Sequence, residues 1–183
     1  AGMPVGPLAV IDETSMSLSV HVMEQTKADL EAEGKVFESN PGQDVIFRMV
    51  KDLKRPGRAG GGGFYEYPKD GKKFLWPGLA KEFGKGNVSY DFEELKERLL
   101  VRQAIETARC LEEGVLETFH DANIGSIHGI GFPAWTGGAL QFVNSVGVAK
   151  FVARADELAK KFGDRFAPPR LLRDKAAKGE ALA

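Results

Sequence analysis

Apolar positions recur at helical spacing along most of the chain. Leu18, Val22, Met23 and Leu30 mark a first stretch that Thr14 or Ser15 can cap and that ends before Gly34. A second stretch runs from about Gln43 to Leu53 on Val45, Ile46, Met49, Val50 and Leu53, and Arg55-Pro56-Gly57 stops it. Gly60 to Gly63, followed by Phe64-Tyr65-Glu66-Tyr67-Pro68, is too glycine-rich for a helix. Residues 68–88 hold Pro68, Gly71, Pro77, Gly78, Gly84 and Gly86 and read as a surface connection.

The strongest helix then starts at Phe92. Asp91 caps it, and Glu94 stands three residues on, as a capping box requires. Phe92, Leu95, Leu99, Leu100, Ala104, Thr107, Ala108, Leu111 and Val115 predict one broad apolar face, widened by Val101 and Ile105. After Gly114 the chain passes through Asp121 to the Gly131–Gly138 turn, where Pro133 fixes the backbone and Trp135 is expected as a buried anchor. Helices from Ala139, from Val148 to Phe162, and from Arg170 to Lys178 follow, the last opened by Pro168-Pro169. Period-2 alternation is nearly absent, so the fold class expected is all-α with no sheet of consequence.

Parts of the pattern occur twice. Gly2-Met3-Pro4 matches Gly131-Phe132-Pro133. After a two-residue insertion, Gly6, Leu8 and Ile11 fall opposite Gly137, Ala139 and Phe142. Met49-Val50-Lys51-Asp52 matches Leu171-Leu172-Arg173-Asp174, with glycines beyond at Gly57 and Gly179. The expectation is a pair of related helical units: residues 1–67, truncated of their opening helices, and residues 89–183, joined by 68–88. The absence of Met at position 1 and the loop-like opening point the same way, to a fragment.

Composition narrows the function. Across 183 residues, 25 Lys+Arg against 26 Asp+Glu leave a net charge of −1, which argues against a basic nucleic-acid binder. The single Cys110 permits neither an internal disulfide nor a cysteine metal cluster, and a reducing compartment is the natural reading. No apolar run approaches membrane-spanning length, and no signal peptide is visible.

Candidate chemistry is sparse. His21, His120 and His128 have no partner at metal-ligand spacing, and no Gly-x-Ser-x-Gly elbow occurs. Cys110 sits mid-helix as a small hydrophobe. Asp12-Glu13 as a general acid/base pair is weaker than a helix-end charge reading, because neighbours on a helix diverge. Lys51, Lys54, Arg55 and Arg58, followed by Phe64 and Tyr65, fit a solvated helix end better than a phosphate or RNA track. These considerations leave no catalytic, cofactor or metal residue to assign, and the substrate-binding residues unknown.

Ala108 to Leu116, Asp121 to Gly125 and Gly129 to Gly138 resemble the C-terminal helical domain of L-3-hydroxyacyl-CoA dehydrogenases, in particular of the multifunctional fatty-acid β-oxidation α subunits, which carry it twice. Phe151 to Leu158, Gly163 to Pro169 and Leu171-Leu172 extend the likeness to the C-terminus. Gly2 to Leu8 and Gly63 to Tyr67 resemble the end of the first copy. The resemblance implies a parent that oxidises 3-hydroxyacyl-CoA to 3-oxoacyl-CoA with NAD in the cytoplasm. This stretch then supplies the substrate side and the interface of a homodimer, next to a dinucleotide-binding domain that the chain lacks. It also implies that the family's catalytic Asn, which precedes Arg-Leu-Leu, is replaced by Glu97 ahead of Arg98-Leu99-Leu100, and that the catalytic His and Glu lie in the missing domain. Glycines 60–63 do not form the family's Gly-x-Gly-x-x-Gly turn. The chain by itself is then expected to be inactive and to hold no cofactor. The alternatives are a free-standing helical module for dimerisation or subunit assembly, or an acyl-CoA binder.

Overall fold

The computed structural model describes residues 1–3, 5–86 and 88–183. Pro4, the third member of the first repeat match, and Asn87, within the 68–88 stretch, lie outside the described residues. The chain divides into two compact units, one of Val5–Val88 and one of Ser89–Ala183 together with the first residues of the chain.

The Val5–Val88 unit is built from α1 (Pro7–Thr14), α2 (Met16–Ala32) and α3 (Pro41–Lys51), then β1 (Tyr65–Glu66), β2 (Phe74–Leu75) and α4 (Gly78–Phe83). Helix α3 starts two residues before the apolar pattern does. Asn40 accepts from the Gly42 and Gln43 amides, Gln43 closes the capping box, and Pro41 takes the first turn. Strands β1 and β2 form one antiparallel ladder, Tyr65 opposite Leu75 and Glu66 opposite Phe74. Residues 68–88 are therefore more than a connection: β2 and α4 lie in them, and Trp76, Leu79 and Phe83 pack against the core of Met16, Met49 and Phe64.

The other unit contains α5 (Phe92–Glu112), α6 (Phe119–Ile130), α7 (Ala139–Val146), α8 (Val148–Phe162) and α9 (Arg170–Lys178). Leu100, Val101, Ala104, Ile105 and Ala108 of α5 face Leu140, Val143, Phe151, Ala155, Leu158 and Leu172. Phe142 tilts onto Phe132 and meets Phe151 edge-on, with centroids 5.9 and 6.2 Å away. The broad face expected on α5 is narrower. Phe92, Leu95, Leu99 and Val115 are exposed, Leu99 at 41%, because the packed stripe runs through Leu100 and Ile105. Asp91 does cap α5 through the Glu93 and Glu94 amides, but the Glu94 carboxylate turns to Lys161 on α8 rather than closing a box. Helix α6 carries no apolar stripe in sequence. Thr118 caps it through the Asp121 amide, and Gly131 ends it at φ 68°.

The repeat is visible in backbone geometry. α1 and α7 each span eight residues after a glycine cap, Gly6 and Gly138. Each is followed by a residue of matching unusual dihedrals, Ser15 (φ 76°, ψ 116°) and Gly147 (φ 90°, ψ 122°), which opens the next helix. Aligning the caps places Leu8 opposite Leu140, Ile11 opposite Val143 and Asp12 opposite Asn144. That is one residue along from the pairing that glycine spacing suggests, because Gly138, not Gly137, is the cap.

Candidate functional site

Asp12 is neither a helix-end charge nor one half of an acid/base pair with Glu13. Its carboxylate is fully buried and accepts from the Phe64 amide (2.8 Å), the Tyr65 amide (2.9 Å) and the Tyr67 hydroxyl (3.0 Å). Gly63 permits this: a Cβ there would stand 2.1 Å from Asp12 Oδ1. Burial, then the bond to Asp12, push the Tyr67 hydroxyl up to about 12. Glu13 points away to Lys73 (2.7 Å), which holds its carboxyl below the usual range. In the other unit Asn144 does the equivalent work. It donates to the Leu182 carbonyl (2.9 Å) and accepts from the Leu182 amide (2.8 Å). Two N–H donors call for a carboxylate, whereas one N–H and one C=O call for an amide.

Helix α7 is capped from outside its own sequence. Asn123 Oδ1 on α6 accepts from the Leu140 and Gln141 amides (3.0 and 2.9 Å), and Ser126 Oγ accepts from the Ala139 amide (3.0 Å). Gly138 permits that approach, since a Cβ there would lie 2.6 Å from Asn123. Helix α1 has no side-chain cap among the described residues, and Leu8 is exposed where its counterpart Leu140 is fully buried.

Glu97 is a structural clamp. Arg154 on α8 reaches its carboxylate through Nε (3.0 Å) and Nη2 (2.7 Å), and also pairs with Glu157 (2.7 Å). Those bonds raise the Arg154 pKa further, Glu97 being the main cause. The tie makes Glu97 a contact between α5 and α8.

A groove of about 500 Å³ opens between α5 and α6. Its floor includes Leu116, Ala122, Gly125 and Ile130, and Cys110 lies half-buried on its wall.

The basic cluster is mostly structural. Arg55 donates to the Gly63 carbonyl (2.8 Å), pairs with Glu66 (2.9 Å) and stacks on Trp76, and Lys51 pairs with Glu24 (2.9 Å). Arg58 lies 5.7 Å from the Tyr67 ring. Trp135 is 78% exposed rather than buried, because the short turn Ala134–Thr136 holds it outward. Among the described residues, no three His, Cys, Asp or Glu side chains lie close enough to share a metal. No helix there is long and apolar enough to cross a membrane. The Gly60–Gly63 stretch does not fit a dinucleotide. It leaves a single 3-10 turn and leads into β1, so no helix N-terminus faces outward from it.

Residues 1–67 match the family profile described as 3-hydroxyacyl-CoA dehydrogenase, C-terminal domain. The chain is 35% identical over 99% of its length to the fatty acid oxidation complex subunit alpha of Shewanella amazonensis. It is 33% identical to proteins of that name from Pseudomonas savastanoi, over 99% of its length, and Vibrio cholerae, over 98%. It spans about a quarter of these relatives, 25%, 25% and 24% of their lengths respectively.

Proposed function

Because the chain belongs to the 3-hydroxyacyl-CoA dehydrogenase C-terminal-domain family, of the kind found in fatty acid oxidation complex α subunits, we propose that it forms the substrate-side and assembly region of such an enzyme. In that role it works next to a dinucleotide-binding domain in the cytoplasm. The parent reaction moves a hydride from C3 of a 3-hydroxyacyl-CoA to NAD while a base takes the hydroxyl proton. The chain itself supplies neither group.

One observation carries the assembly reading. Helix α7 is capped and covered by α5 and α6, while α1, its counterpart, has no side-chain cap among the described residues and leaves Leu8 exposed, as α2 leaves the i,i+4 pair Leu18 and Val22. A face of that kind is built to receive further helices. The Glu97–Arg154 clamp supports the reading that this unit is catalytically silent.

Two measurements test the proposal. The gene upstream of the Ala1 codon should continue in frame into a strand followed by Gly-x-Gly-x-x-Gly; an unrelated domain there overturns the reading. Light scattering across a tenfold dilution should show a mass above 20 kDa at high concentration, since the open face of α1 and α2 can cover its own copy. A constant 20 kDa removes the homodimer.

A further inference from the structure

We propose that Arg98 is a receptor for a carboxylate, held ready on the aromatic surface where the first turns of α5 meet the end of α8. Its guanidinium carbon lies 3.9 Å from the centre of the Phe162 ring, which stabilises the charge from one side. Nε is closed off from solvent and has no hydrogen-bond partner, alone among the buried side-chain nitrogens and oxygens of the described residues. An orphaned N–H of this kind is costly, and a side chain as long as arginine could swing out to water to avoid the cost. The ring holds it instead. The two Nη groups have no protein acceptor either but stay open to solvent, so the end of the fork is presented in a fixed place.

The chain's own carboxylates leave that fork free. Glu94 stands four residues before Arg98, the spacing at which a helix pairs a carboxylate with a cation. It turns instead to Lys161, with both oxygens bonded (3.0 and 2.7 Å), and approaches Arg154 at 3.8 Å. Lys161 shares the Phe162 ring with Arg98, 5.1 Å from its centre, and Arg165 lies over the Phe166 ring at 5.5 Å. The two rings are 6.1 Å apart. Among the described residues, neither Arg98 nor Arg165 has a carboxylate partner, and an anion from outside offsets that gathering of like charge. One planar fork matches the two coplanar oxygens of a carboxylate. A phosphate asks for a further donor, and Lys161, the other cation on that ring, is taken by Glu94. The site does not depend on the function proposed above, and its failure leaves that reading intact.

The test follows the Nε–Hε nuclear magnetic resonance of Arg98 in the full, isotope-labelled chain, the signal being identified by its loss in Arg98→Lys. Sodium acetate, at ionic strength held constant with sodium chloride, should shift it saturably with half-saturation near roughly 10 mM. The signal of Arg165, which is exposed, should drift linearly to beyond about 100 mM. The acetylated and amidated tripeptide Ala-Glu-Ala forms a second arm: tighter binding than acetate assigns the carboxylate to a polypeptide, and equal or weaker binding assigns it to a free acid. Methyl phosphate should bind at least about threefold more weakly than acetate. In Phe162→Leu, which keeps Arg98 and removes its platform, half-saturation should rise at least about fivefold while helical circular dichroism is unchanged. An Arg98 signal that ignores acetate, or follows it linearly as Arg165 does, overturns the proposal. So does tighter binding of methyl phosphate, or unchanged affinity in Phe162→Leu.

Discussion

Replacing Asp12 by Asn changes one atom and should cost about 2–4 kcal/mol. The buried carboxylate accepts two backbone N–H bonds and one O–H bond, with Phe64 on Oδ1 and Tyr65 and Tyr67 on Oδ2. An amide has one acceptor oxygen. Its best placement keeps the oxygen toward Tyr65 and Tyr67 and turns the NH₂ against the Phe64 N–H, stranding that donor at about 1–3 kcal/mol. The two surviving bonds lose their charge assistance, about 1 kcal/mol each. Relief of the buried charge offsets part of the loss. Alanine, which leaves all three donors without a partner, should cost about 3–5 kcal/mol. Urea unfolding at neutral pH measures this. Trp76 packs in the same unit as Asp12, so its fluorescence reports the relevant transition once the exposed Trp135 is changed to Phe. The midpoint should fall with an unchanged slope. A shift below about 0.5 kcal/mol, within the range of surface substitutions, would refute the clamp.

Further outcomes follow from the same geometry. Ser15→Gly should stabilise by about 0.5–1.5 kcal/mol in thermal melts, because Ser15 holds the dihedrals that Gly147 holds in the other unit; a loss of stability contradicts the strain. Ile105→Ala should cost about 2–5 kcal/mol, while Leu99→Ala should cost under about 1; equal effects would show that the packed stripe of α5 lies elsewhere. Tyr67 should ionise near 12, followed by ultraviolet absorbance, and closer to its ordinary value of about 10 in Asp12→Ala. Because the folded value is raised, that stabilisation is complete below about pH 10 and is lost as pH climbs toward 12.

Helices whose apolar positions repeat at three and four residues could be located from sequence: α7, α8 and α9 begin and end where their glycine and proline punctuation puts them. Helix α6 could not. Its buried face is Ala122, Asn123 and Ser126; only Ala122 joins the core, while Asn123 and Ser126 cap α7, so it shows no stripe. Asp12 gave no local signal because its partners stand 52 to 55 positions away. A signal did exist in the repeat: once the caps Gly6 and Gly138 are aligned, Asp12 falls on Asn144, and two buried polar residues at one position point to a shared backbone task. Trp135 shows the limit of side-chain character as a guide to burial. Its size predicts an anchor, but burial is decided by the turn that carries it.

The claim that the chain is the non-catalytic helical part of a hydride-transferring enzyme meets its most direct test in absorbance at 340 nm. Homogeneous 183-residue protein is mixed with NAD and 3-hydroxybutyryl-CoA, and Glu97→Asn is run beside it. Both should leave the signal at the no-enzyme rate, since the proposed function puts the dinucleotide turn and the base that takes the hydroxyl proton in a part of the parent enzyme outside this chain. Sustained NADH formation by the wild-type chain, proportional to its concentration, would contradict the account.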